Sequence, residues 1–287
     1  MRRMTVLQSL IGRIGVPVEQ GTASAGTVKT GYLTAGSGPP VLLLHGDGAA
    51  AIYWYPVIGP LSSYFRVIAP DIVGYGESDK PSAPYDRPCF SAWLGDFLDA
   101  LGLQKTSLVG HSLGGAIALQ FTLDHPAQVD RLVLVDSAAL GKVVSFGVLL
   151  AALWSNMFPS RAARLRLRRY AVHNPENIDE ALGEYGIEIR RMPGGARAFW
   201  QGRGRAGARI PAEQLGQITQ ETLIIWGEED RFFPVAQAET AQKAMSRAQL
   251  HIIPKAGHLP YFDQPQAFND VLVRFLKEKQ LIQPSAT

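Results

Sequence analysis

The sequence predicts an α/β protein with a mostly parallel central sheet flanked by helices, on three observations. Short β-like segments alternate with helix-like ones along most of the 287 residues. Several of the β-like segments, Val41-Leu42-Leu43-Leu44 above all, are apolar throughout, as strands buried on both faces are. With 46% hydrophobic residues, the chain can bury a large core as one large domain, or as one domain carrying an insertion.

The elements follow in order. Val6-Leu7 and Leu10-Ile11, interrupted by Gln8, Ser9 and Arg13, predict a short amphipathic helix and not a secretory signal. Val16 to Glu19 and Thr27 to Thr34 read as an opening antiparallel pair of strands. Gly36-Ser37-Gly38-Pro39-Pro40 turns the chain into the strand at Val41, and Arg66 to Pro70 forms another that ends at Asp71. A helix is expected from Phe90 to Leu101, then strands at Thr106 to Val109, Arg131 to Val135, Thr222 to Trp226 and Gln249 to Ile253. A last helix is expected from Pro265 to Lys279. From about Gly141 to Arg209 the rhythm breaks: no buried-strand run occurs, and arginine, alanine and leucine dominate. A mainly helical insertion over the carboxyl edge of the sheet is expected there, dividing the chain into 1–138, 139–212 and 213–287.

Composition narrows the function. A net charge of +3 is too small to argue for nucleic acid. The single Cys89 forms no internal disulfide and no thiolate metal site, which fits a reducing, cytoplasmic location. The longest apolar stretch, Val143 to Phe158, contains Ser145, Ser155 and Asn156 and falls short of a membrane span, so no stable membrane insertion is expected. There is no metal-ligand cluster, phosphate-cradling loop or dinucleotide fingerprint; the expectation is no metal and no cofactor. A homodimer is compatible with the chain.

The chemistry centres on Gly110-His111-Ser112-Leu113-Gly114, between the apolar run Ser107-Leu108-Val109 and a helix-like run from Gly115 to Phe121. Strand, sharp turn and helix form the context in which a G-x-S-x-G match presents an exposed, nucleophilic serine. A serine hydroxyl is a poor nucleophile at neutral pH and needs a positioned base and an orienting acid. His258, in the loop Lys255-Ala256-Gly257-His258-Leu259-Pro260 after the last strand, is the candidate base; His173 and His251 are placed less well. Asp230 follows the strand Leu223-Ile224-Ile225-Trp226 and is the candidate acid, with Asp136 at the end of Leu132-Val133-Leu134-Val135 as its rival. Glu228 and Glu229 are expected to be solvated or paired with Arg231. The backbone N–H of Leu113 and that of Asp47, in His45-Gly46-Asp47-Gly48, are the expected oxyanion donors. The Asp47 carboxylate is expected to point away, accept a hydrogen bond in its loop, or bind a substrate hydroxyl. His45 reads as a loop-shaping hydrogen bonder.

Four blocks now carry a resemblance: Leu44 to Gly48; Asp71-Ile72-Val73-Gly74-Tyr75-Gly76-Glu77-Ser78; Gly110 to Gly115; and Gly227 to Asp230 with Gly257-His258. In this order they resemble the α/β-hydrolase superfamily over nearly the full length. The resemblance implies the α/β-hydrolase fold, with the insertion after the sixth strand as a helical cap and the Gly74 to Ser78 block as a structural turn. Relatives that form alkyl-ester intermediates carry aspartate at the nucleophile position, so Ser112 points to acyl transfer. The expected function is a carboxylesterase-type serine hydrolase acting on small-molecule esters or related carbonyl compounds, with Ser112, His258 and Asp230 as triad. The alternative is a carbon–carbon hydrolase of meta-cleavage products of aromatic breakdown. That group is similar in its amino-terminal part and its long cap, but usually has an aromatic residue after the histidine, where Leu259 stands, and often asparagine before the serine, where His111 stands. His111, Trp154 and Leu259 are the candidate substrate contacts. Trp154, Met157 and Phe158 either line an acyl pocket or pack the cap on the core. Arg190, Arg191 and Arg197 are candidates for holding a substrate carboxylate, whereas Arg161, Arg164, Arg166, Arg168 and Arg169 read as a solvated helix face. A non-catalytic ligand receptor is the reading from another class, and a complete triad argues against it.

Overall fold

The apolar runs assemble into one eight-stranded sheet in the order β1-β2-β4-β3-β5-β6-β7-β8. Its strands are β1 (Glu19–Ala25), β2 (Val28–Ala35), β3 (Pro40–Leu44), β4 (Arg66–Pro70), β5 (Thr106–His111), β6 (Val129–Val135), β7 (Glu221–Gly227) and β8 (Ala248–Ile253). This computed structural model describes residues 2–142, 145–202 and 205–278. β2 runs antiparallel to both of its neighbours, β1 and β4; every pair from β4 to β8 is parallel. The expected architecture, the α/β-hydrolase fold, is the one found.

The first strand begins at Glu19, where the expected segment ended. Its register is set from the far end, by a turn at Gly26 (φ 56°) that pairs Ala25 with Val28 and runs back to Glu19 opposite Thr34. Gly21, Thr22 and Ser24 give this strand no apolar run, and the apolar Val16 and Val18 lie before it.

Alternation splits each central strand between two cores. Leu42, Leu44, Ile68, Leu108, Leu132, Leu134, Ile224 and Trp226 face one side of the sheet. Val41, Leu43, Val67, Ala69, Val109, Val133, Val135, Leu223 and Ile225 face the other. Both cores are helix-covered, which is why these strands are apolar throughout. Along the chain come α1 (Arg2–Gly12), α2 (Tyr55–Ser62), α3 (Arg87–Ala100) and α4 (Leu113–Asp124). The N-cap of α3 is Asp86, whose carboxylate accepts the N–H of Cys89 at 3.1 Å.

Between β6 and β7 lie α5 (Phe146–Met157), α6 (Arg161–Ala171), α7 (Glu180–Arg191), α8 (Arg197–Gly202) and α9 (Ala212–Leu215), with no strand among the described residues. Ser145, Ser160 and Asp179 cap the first three of them by accepting the N–H of Val148, Ala163 and Ala181. The chain closes with α10 (Val235–Ala244), α11 (Pro260–Asp263) and α12 (Pro265–Lys277). Val143 and Lys279, which bounded two of the expected segments, lie outside the described residues. No described helix is long and apolar enough to cross a membrane.

The turn from β5 into α4 is packed backbone to backbone. A Cβ on Gly114 would stand 2.1 Å from the Leu44 carbonyl oxygen, one on Gly110 2.3 Å from the Gly114 oxygen, and one on Gly115 2.2 Å from Ser137 Oγ. Backbone cannot retreat as a flexible side chain can. Gly114→Ala is therefore expected to lower stability by about 1–3 kcal/mol through overpacking. Gly183→Ala, where an added methyl meets nothing within 4 Å inside α7, is expected to raise it by about 0.5–1 kcal/mol. Urea midpoints of the two variants check both signs.

Candidate active site

Ser112 sits between β5 and α4 with φ 52° and ψ −114°, a backbone conformation unusual for a residue with a side chain. Its surroundings hold it there. The Ser112 N–H donates to the Val135 carbonyl at 3.0 Å, and the Ser112 carbonyl accepts from Gly115, Ala116 and Ala138. Leu113 opens α4, so its N–H is one of the four that have no partner within the helix. Gly46 passes so close that a Cβ there would lie 3.2 Å from Ser112 Cβ. The loop carrying Asp47 is thereby pressed against the serine.

That loop has its own supports. His45 is fully buried; its Nε2 accepts the N–H of Ile72 at 3.0 Å, which leaves the proton on Nδ1 to donate to the Gly46 carbonyl at 2.8 Å. Burial pulls the His45 imidazole down to about 4, so it stays neutral while bracing β3 against the chain after β4. Asp71 accepts from the N–H of Ala51 and of Glu77, each at 2.7 Å, and burial raises its carboxyl to about 6. Gly74 (φ 91°) and Gly76 (φ 49°) make the turn beside it.

His258 follows β8, and the expected pairing with Asp230 is present. His258 Nδ1 donates to Asp230 Oδ2 at 2.8 Å, with both side chains buried. The other oxygen, Asp230 Oδ1, accepts the N–H groups of Phe232 (2.7 Å) and Phe233 (3.2 Å). Two backbone donors and the His258 imidazole together fix the Asp230 carboxylate in place. Phe232 stacks on the His258 ring at 4.3 Å and 13°, which fixes the ring plane. With Nδ1 committed to Asp230, Nε2 is the nitrogen left for a proton transfer.

Asp136, the rival acid, ends β6 beside this pair with φ 41° and no exposed surface. Its Oδ1 accepts the Gly227 N–H at 3.0 Å, while Oδ2 is buried without any donor. Burial, then the negative charge of Asp230, push its carboxyl well above the usual range. The shift favours a proton on Asp136, beside the Asp230 carboxylate. Asp136, Asp230 and His258 also bring three ligand-type atoms within 4.8 Å. A metal would have to enter between His258 Nδ1 and Asp230, which are already in hydrogen-bond contact, so the cluster is an acid–base arrangement.

The remaining sequence candidates divide. Ser112, His258, Asp47, Leu113, His111 and Leu259 all line a cavity of about 1020 Å³. The Asp47 carboxylate accepts the Tyr75 hydroxyl at 2.8 Å, one of the alternatives open from the sequence. His111 Nε2 donates to the His258 carbonyl at 2.8 Å, so this ring braces the base from below. Burial and the neighbouring His258 lower the His111 imidazole well below its ordinary range and keep it neutral. Trp154 requires a correction. It does not line the cavity but lies 54% exposed against Phe158, because α5 turns Val148, Ala151 and Ser155 inward and the next stripe outward. Arg190 is buried in the cavity wall, whereas Arg197 reaches the Lys80 carbonyl outside it. Nor does Arg231 pair with the neighbouring glutamates: it donates to the Arg169 carbonyl, and Glu229 binds His173 Nδ1 at 2.8 Å.

Asp263 was not singled out from the sequence. Its carboxylate accepts from Gly257 N (2.9 Å), His173 N (2.8 Å), Asn174 N (3.2 Å) and Asn177 Nδ2 (3.1 Å), tying the His258 loop to the chain after α6. An acid within Pro260-Tyr261-Phe262-Asp263 looks like an ordinary helix-terminal charge, and only the fold brings its donors together.

The family described as alpha/beta hydrolase fold matches residues 39–265, and the chain belongs to that family of hydrolases. Among curated proteins, the chain is 32% identical over 269 residues to a 2-hydroxymuconate semialdehyde hydrolase of a Pseudomonas species, covering 88% of this chain and 92% of that one. A solved meta-cleavage product hydrolase of Pseudomonas fluorescens superposes with a TM-score of 0.83 at 30% identity, over 90% of this chain and 98% of the other. A Bacillus subtilis carboxylesterase superposes with a TM-score of 0.86, over 96% and 97% of the two chains; at 24% identity that likeness is one of fold.

The Asp136 assignment has a measurable sign. A carboxyl raised above 3.8 on folding stays protonated in the folded state, so its stabilisation is full below that pH and is lost as pH rises through the folded value. Asp136→Asn keeps an acceptor for Gly227 and a donor for Asp230 without the titration. The expected outcome is a flatter stability-versus-pH curve above pH ~4 and a neutral-pH stability no lower than wild type, measured by urea unfolding across pH. An unchanged curve would place the proton elsewhere.

Proposed function

We propose that the protein is a serine hydrolase that cleaves carboxylic esters of small to medium, largely apolar substrates through an acyl-enzyme on Ser112. The observation that carries this reading is the His258 Nδ1–Asp230 pair at 2.8 Å, opening with the strained Ser112 onto one large cavity. His258 Nε2 takes the proton of Ser112 as Oγ attacks the ester carbonyl. The N–H groups of Leu113 and Asp47 stabilise the developing oxyanion. His258 then passes the proton to the leaving alcohol, and activates the water that releases the acid. Asp230 holds the His258 tautomer and offsets the imidazolium charge. His111 and Asp263 act as positioning residues through the His258 carbonyl and the Gly257 N–H. The helices between β6 and β7 serve as the cap whose inner side, including Leu153, Leu165 and Phe199, receives the apolar part of the substrate.

A second reading, carbon–carbon hydrolysis of an acidic meta-cleavage product, is favoured by Arg190 in the cavity wall and by what the relatives are named for. The ester reading stands ahead because Arg190 is already engaged. It donates to the Gly195 carbonyl at 3.0 Å and feels the opposite charge of Asp47, so less of its charge is left for a substrate carboxylate. Leu259 and His111 also occupy the positions where that group usually has an aromatic residue and often has asparagine.

A fluorophosphonate probe is expected to label the wild-type chain and not Ser112→Ala; equal labelling of the two would remove the serine from the reading. Asp230→Asn is expected to reduce ester turnover on the order of 10⁴-fold, and a near-wild-type rate would move the acid to Asp136. Turnover of short-chain esters, lactones, thioesters and a vinylogous diketone acid, measured side by side, decides between the two chemistries. The esters are expected to lead; a strong preference for the diketone acid would replace the first reading by the second.

A further inference from the structure

The outward side of α5 is a strongly apolar exposed surface. Phe146, Leu149, Leu150, Trp154, Met157 and Phe158 recur at helical spacing and all stand in solvent, Phe146 73% exposed and Trp154 54%. A monomer seldom leaves so continuous an apolar stripe uncovered without a use for it. The arginine-rich α6 packs beside α5: a Cβ on Gly147 would lie 2.8 Å from the Tyr170 hydroxyl, so the start of one helix meets the end of the other.

Neither helix contains an acidic residue, and α6 carries five arginines in eleven residues. Arg161 is paired with Glu180, and Arg164 donates to the Gly186 carbonyl. The exposed Arg166 and Arg169 have no ion-pair partner among the described residues. On α6 they lie one and four positions after Leu165, which is itself 40% exposed. Aliphatic and aromatic side chains bordered by free guanidinium groups match an interface with an apolar interior and a negatively charged surface. An antiparallel two-fold pairing of α5 with a second copy would instead bring the two arginine-rich helices to the same side, like charge against like.

We propose that the outer face of α5, with the arginines of α6 beside it, is a peripheral docking surface for an anionic lipid bilayer. Leu149 and Leu165 belong both to this exposed face and to the cavity lining. They therefore mark an entry by which an apolar ester dissolved in the bilayer reaches Ser112, a step that rests on the ester reading. The docking itself does not depend on it.

The test uses the full chain with Ser112→Ala, so that no lipid is consumed, in flotation with phosphatidylcholine vesicles, with and without phosphatidylglycerol. Binding is expected to the phosphatidylglycerol-containing vesicles and to weaken as salt is raised. The triple substitution Phe146→Ser, Leu150→Ser, Trp154→Ser is expected to weaken it about tenfold or more. The pair Arg166→Glu, Arg169→Glu is expected to do the same, with both variants melting at the parent's temperature because the altered side chains are solvent-exposed. No flotation, equal flotation on phosphatidylcholine alone, undiminished flotation of both variants, or a dimer in sedimentation that the triple substitution dissociates would each overturn the proposal. Ester turnover is measured separately in chains that keep Ser112. Failure to cleave any soluble ester would sink the ester reading while leaving the vesicle result standing.

Discussion

The site depends on how closely the backbone around Ser112 packs against β3 and β6. Gly110, Gly114 and Gly115 leave no room for a methyl group, and Gly46 presses the next loop against the serine itself. This closeness puts two constraints on one atom group. The strand-to-helix turn must lift Ser112 into a strained conformation, and the loop carrying Asp47 must run beside it. The strain is held by hydrogen bonds on both sides of the residue, from Val135 to Ala138, so it persists without substrate. The nucleophile and its expected oxyanion donors are thus placed by backbone, which does not need to reorganise when charge develops.

Electrostatics then separates four acids that lie near one another. Asp230 has two backbone donors and a histidine around its carboxylate. Asp136, a few ångströms away, has one donor and complete burial, and its carboxyl is pushed well above the usual range. Asp263 accepts four hydrogen bonds from two chain segments, and Asp47 shares the Tyr75 hydroxyl and the nearby charge of Arg190. The same residue type therefore serves as orienting acid, proton-favouring neighbour, loop clasp and charge partner, according to how many donors the fold supplies.

The sheet was legible because its central strands are buried on both faces and therefore apolar end to end; Val41 to Leu44 and Leu132 to Val135 are plain examples. The edge strand β1 was not, since it buries one face and its register is imposed by the turn at Gly26. The residues of the site could be named from local context: Ser112 from its glycines, His258 and Asp230 from the loops after two apolar strands. What could not be read were the contacts that join distant segments. Asp263 reaches across about ninety residues to His173 and Asn174, and the proton on Asp136 depends on donors that no spacing reveals. Trp154 shows the opposite limit. An apolar stripe on a helix indicates that one face is special, yet composition does not say whether that face turns toward a cavity or away from it, and here it turns outward.

The central claim is that Ser112 carries an acyl group during turnover. The most direct measurement is mass spectrometry of the chain quenched during hydrolysis of a slowly deacylated ester, followed by peptide mapping. The account predicts a mass increase equal to the acyl group, confined to the peptide that contains Ser112 and absent from Ser112→Ala. Turnover of the ester with no adduct at Ser112, or with the acyl group on another residue, would contradict it.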